Sequence, residues 1–222
     1  MLSKKWVLAK PLSEAYLRQY GTISPVLAQV LSNRGVDSPR AVERFLYTRE
    51  YTATPFTDMP KAVDLILRTI KRRDPIVVYG DFDADGVTST AVMVHALREL
   101  KADVIPYIPH RVDEGYGLNT PALQDLAKQG KKLIITVDCG IRSVQEVDDA
   151  KVAGLDIIIT DHHSLGPELP RADAIVNPQR EEDPMLIAGV GVAYLMARAL
   201  HREAQKTWNN GRKPFDPDDL LD

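Results

Sequence analysis

The chain has 222 residues, 44% hydrophobic and 27% charged, with a net charge of −3 and a single cysteine, Cys139. That is enough apolar material for one large domain or two small ones. No apolar run approaches the roughly 20 residues of a membrane span, and one cysteine excludes an internal disulfide framework and a multi-cysteine zinc site. The negative balance argues against indiscriminate coating of nucleic acid, but not against a nuclease whose own metals offset acids beside a phosphate.

Met1-Leu2-Ser3-Lys4-Lys5-Trp6 lacks the long apolar segment of a signal peptide, so a cytoplasmic protein without a membrane partner is expected. Residues 1–58 carry a net charge of +3 and the remainder −6. Within 1–58, Ser24-Pro25 starts a helical pattern through Val26, Leu27, Val30 and Leu31, with Ser24 as N-cap and proline at the first position. Asn33-Arg34-Gly35 ends it. Ser38-Pro39 repeats the start signal, and Ala41, Val42, Phe45 and Leu46 supply an apolar face. Tyr51 to Pro60 is rich in breakers and reads as a linker, followed by a helix over about 61–72.

From there strand and helix patterns alternate. Strands are predicted at 75–79, 103–108, 132–137, 155–160 and 173–176, and helices at 87–100, 120–129, 143–153 and 186–205. This spacing predicts an α/β fold, a mainly parallel sheet flanked by helices, behind a small helical lead-in. Leu133-Ile134-Ile135 and Ile157-Ile158-Ile159 are continuous apolar runs, as doubly buried strands require. The tail from Trp208 to Asp222 is polar and turn-rich, and its last residues look like the start of a helix.

The chemistry gathers at strand ends. Val77-Val78-Tyr79-Gly80 runs into Asp81-Phe82-Asp83-Ala84-Asp85-Gly86. Three acids in five residues repel one another unless positive charge sits among them. They read as ligands for a divalent cation, with a solvated acidic loop or helix cap as the bland alternative. Two more strands end alike, in Asp138-Cys139-Gly140 and in Asp161-His162-His163. In a parallel sheet these ends share one edge, so distant segments converge in one crevice. Carboxylates with one or two imidazoles suit Mn²⁺ or Mg²⁺ better than structural zinc. The number of acids suggests two ions, the usual clamp for phosphoester hydrolysis, with Asp138 suited to bridge them. One of His162 and His163 can ligate metal while the other faces substrate, or one only braces the loop. His95 and His201 read as packing or surface residues, and Cys139 as filling space beside Asp138.

His110 and Arg111, beyond the second strand, are candidate phosphate contacts, since arginine can fork onto a phosphate. Tyr116, between two glycines, either stacks on a base or packs down in an ordinary turn. Gly189-Val190-Gly191-Val192-Ala193 has the look of a phosphate loop, but no strand feeds it and no Lys-Ser/Thr follows. Its glycines equally suit close approach of a helix to the sheet or to the crevice.

The ordered set Asp81-Phe82-Asp83-Ala84-Asp85-Gly86, Val137-Asp138-Cys139-Gly140 and Asp161-His162-His163 resembles the DHH phosphoesterase superfamily. Arg111 with Glu114-Gly115-Tyr116-Gly117-Leu118, Ile175-Val176-Asn177-Pro178, Ala188-Gly189-Val190-Gly191-Val192-Ala193 and Leu31-Ser32-Asn33-Arg34-Gly35-Val36 resemble its RecJ branch, the single-stranded-DNA-specific exonucleases. The resemblance implies a Mn²⁺- or Mg²⁺-dependent hydrolase, with two ions, that removes nucleotides from the 5′ end of single-stranded DNA in recombination and repair. It implies Asp83, Asp85, Asp138 and His162 as metal ligands, and Asp81 and Asp161 as ligands or their supports. It places His163 at the scissile phosphate and Arg111 on the DNA backbone, with Gly189 and Gly191 also toward substrate. Single-strand-binding protein and a helicase are the partners expected with such an activity.

The family pattern also has an aspartate in a Gly-Thr-x-Ala-Asp segment, which does not occur here. The expectation is therefore a lead-in over 1–58 and a DHH domain over 59–222 that stops short, weak or inactive by itself. Two competing readings are a phosphodiesterase of short oligonucleotides or cyclic dinucleotides and a non-catalytic replication scaffold of the same fold. The three intact motifs argue against the scaffold.

Overall fold

The computed structural model describes residues 5–19, 21, 23–47, 56–181 and 186–207. The polar tail and the first half of the expected linker, residues 51–55, lie outside the described residues. The chain divides into two units, Met1–Thr52 and Ala53–Asp222.

In the first unit, three short helices follow one another: α1 (Glu14–Arg18), α2 (Pro25–Ser32) and α3 (Pro39–Tyr47). Each is entered through a serine. Ser13, Ser24 and Ser38 accept hydrogen bonds from the amides of Tyr16, Leu27 and Ala41, satisfying N–H groups that the first turn leaves without partners. Leu31 and Val42 form the small core, with Tyr16, Ile23, Val36 and Leu46 packed around them. The helix α1 was not expected from sequence; five residues are too few to show a helical period.

The second unit begins with α4 (Met59–Arg72) and continues β1 (Ile76–Tyr79), α5 (Ala84–Glu99), β2 (Val104–Tyr107), α6 (Thr120–Lys128), β3 (Leu133–Val137), α7 (Val144–Val152), β4 (Asp156–Thr160), β5 (Ala174–Val176), a 3₁₀ turn (Pro178–Arg180) and α8 (Gly189–Thr207). The sheet is parallel throughout, in the order β2-β1-β3-β4-β5. Alternate strand residues feed two cores. Ile76, Val78, Leu133, Ile135 and Ile158 pack with α4, α5 and α8. Val77, Tyr79, Ile134, Ile157 and Ile159 pack with α6 and α7. The doubly buried strands read from the sequence are therefore present, and both faces are covered.

The strand order has a direct consequence for the site. From β1 the chain crosses to β2 on one side, then returns to place β3 on the other. The crevice beyond the carboxyl ends of β1 and β3 is the topological switch point, where open α/β sheets bind ligands. Asp81 and Asp138 follow these two strands.

At the far edge, β5 exposes a backbone that a neighbouring strand would otherwise pair. Asp58 accepts from Ile175 N at 3.0 Å, while Arg180 donates to Ile175 O and to Asp58, the latter at 2.8 Å. This partly buried ion pair replaces the missing strand with side chains. Arg180→Ala leaves the Asp58 carboxylate without its cation and is expected to cost about 1–3 kcal/mol in urea denaturation. A change below the resolution of that measurement would show that the pair contributes nothing.

Candidate metal centre

Helix α5 starts three residues earlier than the sequence pattern indicates, and this changes the meaning of the acidic stretch. Asp83 is the N-cap, and its carboxylate accepts from Gly86 N at 2.9 Å. Asp85 lies in the first turn, where the helix dipole favours a negative charge. Asp81 is buried and accepts from Phe82 N at 2.7 Å. Burial is the largest influence on Asp81 and holds its pKa above the usual carboxylate range.

Asp85 also reaches across to α8. Its two oxygens accept from Gly189 N at 2.7 Å and Val190 N at 2.8 Å. The start of α8 thus supplies two backbone donors, Gly189 N and Val190 N, to a carboxylate. Gly189 must be glycine because a Cβ there would lie 2.6 Å from Asp138 Oδ1. This is the close approach to the crevice that the sequence left as an alternative to a phosphate loop. Gly191 N donates within the chain to Ala188 O, and a Cβ at Gly191 would meet Ile187 rather than the acids.

Asp138 is the central group. It leaves β3 with φ 59°, a left-handed conformation that few residues other than glycine, asparagine and aspartate adopt readily. Its side chain is buried, and Oδ1 has no hydrogen-bond partner among the described residues. His162 Nε2 stands 3.1 Å from that oxygen, out of line for a hydrogen bond, and 3.5 Å from Asp85 Oδ2. Burial, then the neighbouring Asp85 carboxylate, push the Asp138 pKa up to about 7.

Asp161 is held differently. Its Oδ1 accepts from His162 N at 2.7 Å and His163 N at 3.1 Å and faces His163 Nδ1 at 2.7 Å; its Oδ2 accepts from Ile141 N at 3.0 Å. Burial would raise its pKa, but the His163 ring and these amides outweigh burial and lower it. An ionised Asp161 can only accept, so His163 Nδ1 carries the hydrogen and Nε2 is the ring's other working atom. Both carboxylate oxygens of Asp161 are occupied, so it supports His163 and the Asp-His-His loop. Asn177, fully buried, donates to His163 O at 3.1 Å and braces the same loop. Asn-Pro directly after a strand is the sequence signal for that brace.

Among the described residues, two groups of side chains offer ligand atoms within 4.8 Å of one another: Asp81, Asp83 and Asp138, and Asp138, His162 and His163. Both contain Asp138. A buried carboxylate oxygen without a partner, flanked by further carboxylates and imidazoles, fits hard or borderline divalent cations bound through oxygen and nitrogen.

The rim of the crevice carries Arg111, Tyr116 and Phe82. Tyr116 packs edge-on to Phe82 at 6.4 Å and to His163 at 6.2 Å between ring centroids. Its loop is fastened by Glu114, which accepts from the Tyr107 hydroxyl, from His110 N at 2.7 Å and from Asn119 Nδ2 at 3.2 Å. Tyr79 adds to the same fastening by donating to Gly117 O at 3.1 Å. His110 faces Asp113 at 2.7 Å on the exposed side. Glu114 and Phe82 have roles that the sequence did not suggest, because both depend on contacts across the fold.

The model of the DHH family, N-terminal domain, matches residues 75–216. The chain belongs to the DHH family. Within it, this DHH chain is 42% identical over its full length to the single-stranded-DNA-specific exonuclease RecJ of Bacillus subtilis, of which it covers 28%. It is 38% identical to RecJ of Escherichia coli K12 over 182 residues, 80% of this chain and 31% of that protein. A crystal structure of exonuclease RecJ bound to manganese matches with a TM-score of 0.65 and 36% identity, covering 69% of this chain and 40% of that one. The DHH chain thus spans about a third of the length of the curated relatives it matches.

The raised pKa of Asp138 sets a stability prediction. A carboxyl that holds its proton more tightly when folded costs the metal-free protein stability as pH rises from about 4 through about 7. Asn keeps the shape and tolerates the left-handed backbone. Asp138→Asn is therefore expected to stabilise the metal-free protein at pH 8 by on the order of 1–3 kcal/mol. The same variant should lose the rise in melting temperature that Mn²⁺ gives the unsubstituted chain. Scanning calorimetry with and without Mn²⁺ checks both; a destabilised variant that still responds to Mn²⁺ contradicts the assignment.

Proposed function

We propose that this chain carries a two-metal phosphodiesterase centre that removes nucleotides from the 5′ end of single-stranded DNA. The observation that carries the proposal is Asp138: one buried carboxylate shared by two groups of ligand atoms, with an oxygen that accepts no hydrogen bond among the described residues. The RecJ relatives, named as single-stranded-DNA-specific exonucleases, support the substrate and, through the resemblance, the polarity. The ions would be Mn²⁺ or Mg²⁺, which the carboxylate and imidazole donors suit.

Asp81, Asp83 and Asp138 would hold one ion, and Asp138 with His162 the other. Asp85 faces His162 from beside the start of α8. When bound, the ions would supply an activated water and offset charge on the phosphoryl oxygens. The Asp161 carboxylate on Nδ1–H raises the pKa of His163, and in its imidazolium form the ring would donate from Nε2 to the phosphate or to the departing oxygen. Arg111 would hold a backbone phosphate, and His110 and Tyr116 stand along the same rim. Gly189 serves through its amide and its lack of a side chain, by fixing Asp85 and leaving room for Asp138. Gly191 sits in the first turn of α8.

A single-stranded substrate implies partners that make or hold single strands, such as a helicase and single-strand-binding protein. The cytoplasm would be the place of action. No helix among the described residues is long and apolar enough to cross a membrane.

Release of nucleotides from end-labelled oligonucleotides, with Mn²⁺ present, tests the proposal. Long single strands should be cut from the 5′ end, only weakly by this chain alone, and duplexes spared. Asp138→Ala should lower the rate about a hundredfold or more, with an unchanged circular dichroism spectrum. Preference for dinucleotides over long strands would point instead to a phosphodiesterase of short oligonucleotides, and undiminished cleavage by Asp138→Ala would refute the two-metal centre.

A further inference from the structure

We infer that Phe82 is a positioning residue for the substrate phosphate: its ring holds the Arg111 guanidinium over the rim of the metal crevice with the N–H donors left available. The inference rests on the phosphodiesterase reading above. Arg111 Cζ lies 5.0 Å from the centroid of the Phe82 ring. Among the described residues the guanidinium forms no ion pair and no hydrogen bond, although Asp81 is near enough to feel its charge.

That combination needs an explanation. An arginine beside several carboxylates gains most by forking onto one of them, with two parallel N–H···O bonds. Doing so here would consume the donors needed for a phosphate and would occupy an acid needed for metal. An aromatic face offers a different anchor. It attracts the cation through the ring quadrupole and leaves every N–H in the guanidinium plane unused. Phe82 is well placed for this. Its amide is fixed to the Asp81 carboxylate at 2.7 Å, so the platform moves with the metal loop. Its ring meets that of Tyr116 in a nearly perpendicular contact, 80° between the planes. Arg111 meanwhile comes from the loop that Glu114 fastens to Tyr107 and Asn119. One strand end supplies the platform and another supplies the cation. The phosphate contact is thereby placed at a set distance from Asp81 and Asp138.

The arrangement also separates two jobs within Asp81-Phe82-Asp83. The acids on either side of Phe82 face the crevice that would hold metal, while the residue between them turns toward substrate. Leucine at that position keeps apolar bulk but removes the quadrupole. Tyrosine keeps the aromatic face.

Two measurements test the inference. The first is NMR of the arginine side chains. The Arg111 Nε–H and Hδ signals should carry an upfield ring-current shift that Phe82→Leu abolishes and Phe82→Tyr preserves. The second is binding of a phosphorothioate oligothymidine in Mn²⁺, read by fluorescence anisotropy. Phe82→Leu should weaken it about 2- to 5-fold, Arg111→Ala about tenfold or more, and the double variant no more than Arg111→Ala alone. Phe82→Tyr should bind like the unsubstituted chain, and the rise in melting temperature with Mn²⁺ should persist in Phe82→Leu. An absent ring-current shift in the unsubstituted chain overturns the platform. Multiplying losses in the double variant also overturn the inference, because Phe82 would then act without Arg111. A ring-current shift with no binding of the oligonucleotide at all leaves the platform standing and refutes both the phosphate role and the reading of the substrate.

Discussion

Mutual repulsion of carboxylates is the constraint around which this structure is built. Asp81, Asp83, Asp85, Asp138 and Asp161 surround one crevice, and like charges so placed disfavour one another's ionisation. The fold relieves most of them with backbone N–H groups. Phe82 N serves Asp81, Gly86 N serves Asp83, and the start of α8 serves Asp85. Ile141 N and the Asp-His-His loop serve Asp161. Asp138 Oδ1 receives no such help. Among the described residues of the crevice, the acid with a buried oxygen that accepts no hydrogen bond is the one common to both ligand groups, which is where a cation would relieve the most.

The architecture follows from getting these groups together without filling the space between them. The strand order places the ends of β1 and β3 side by side at a switch point, and α8 arrives over the same edge. Gly189 permits that arrival, since any side chain would collide with Asp138. Asp138 itself turns out of β3 with a left-handed backbone, a local cost of the kind that active sites carry and the surrounding packing sustains. The covered sheet beneath, with apolar residues feeding both faces, is what can sustain it.

Much of this was legible in the sequence, for particular reasons. Leu133 to Val137 and Asp156 to Thr160 are strands because continuous branched apolar runs have no other place in a sheet covered on both sides. The three strand ends bearing acids could be named because a parallel sheet puts all carboxyl ends on one edge. Helix α5 begins at Ala84, ahead of the position 87 that the apolar pattern indicates. Asp83, Ala84, Asp85 and Gly86 look like loop composition, yet aspartate is a favoured N-cap and stabilises a first turn, so the same residues begin the helix. The Ile141 amide on Asp161, the hold of Gly189 and Val190 on Asp85, and the Phe82 ring beneath Arg111 were not legible, although a supporting role was one of the two implied for Asp161. Each depends on segments brought together only by the folded sheet, from 20 residues apart for Asp161 and Ile141 to 105 for Asp85 and Val190.

Anomalous scattering from crystals of this chain grown with Mn²⁺ tests the central claim most directly. The account predicts manganese density in contact with both oxygens of Asp138, bounded on one side by Asp81 and Asp83 and on the other by His162. Density that avoids Asp138, or that is held by Asp161 in its place, would contradict it.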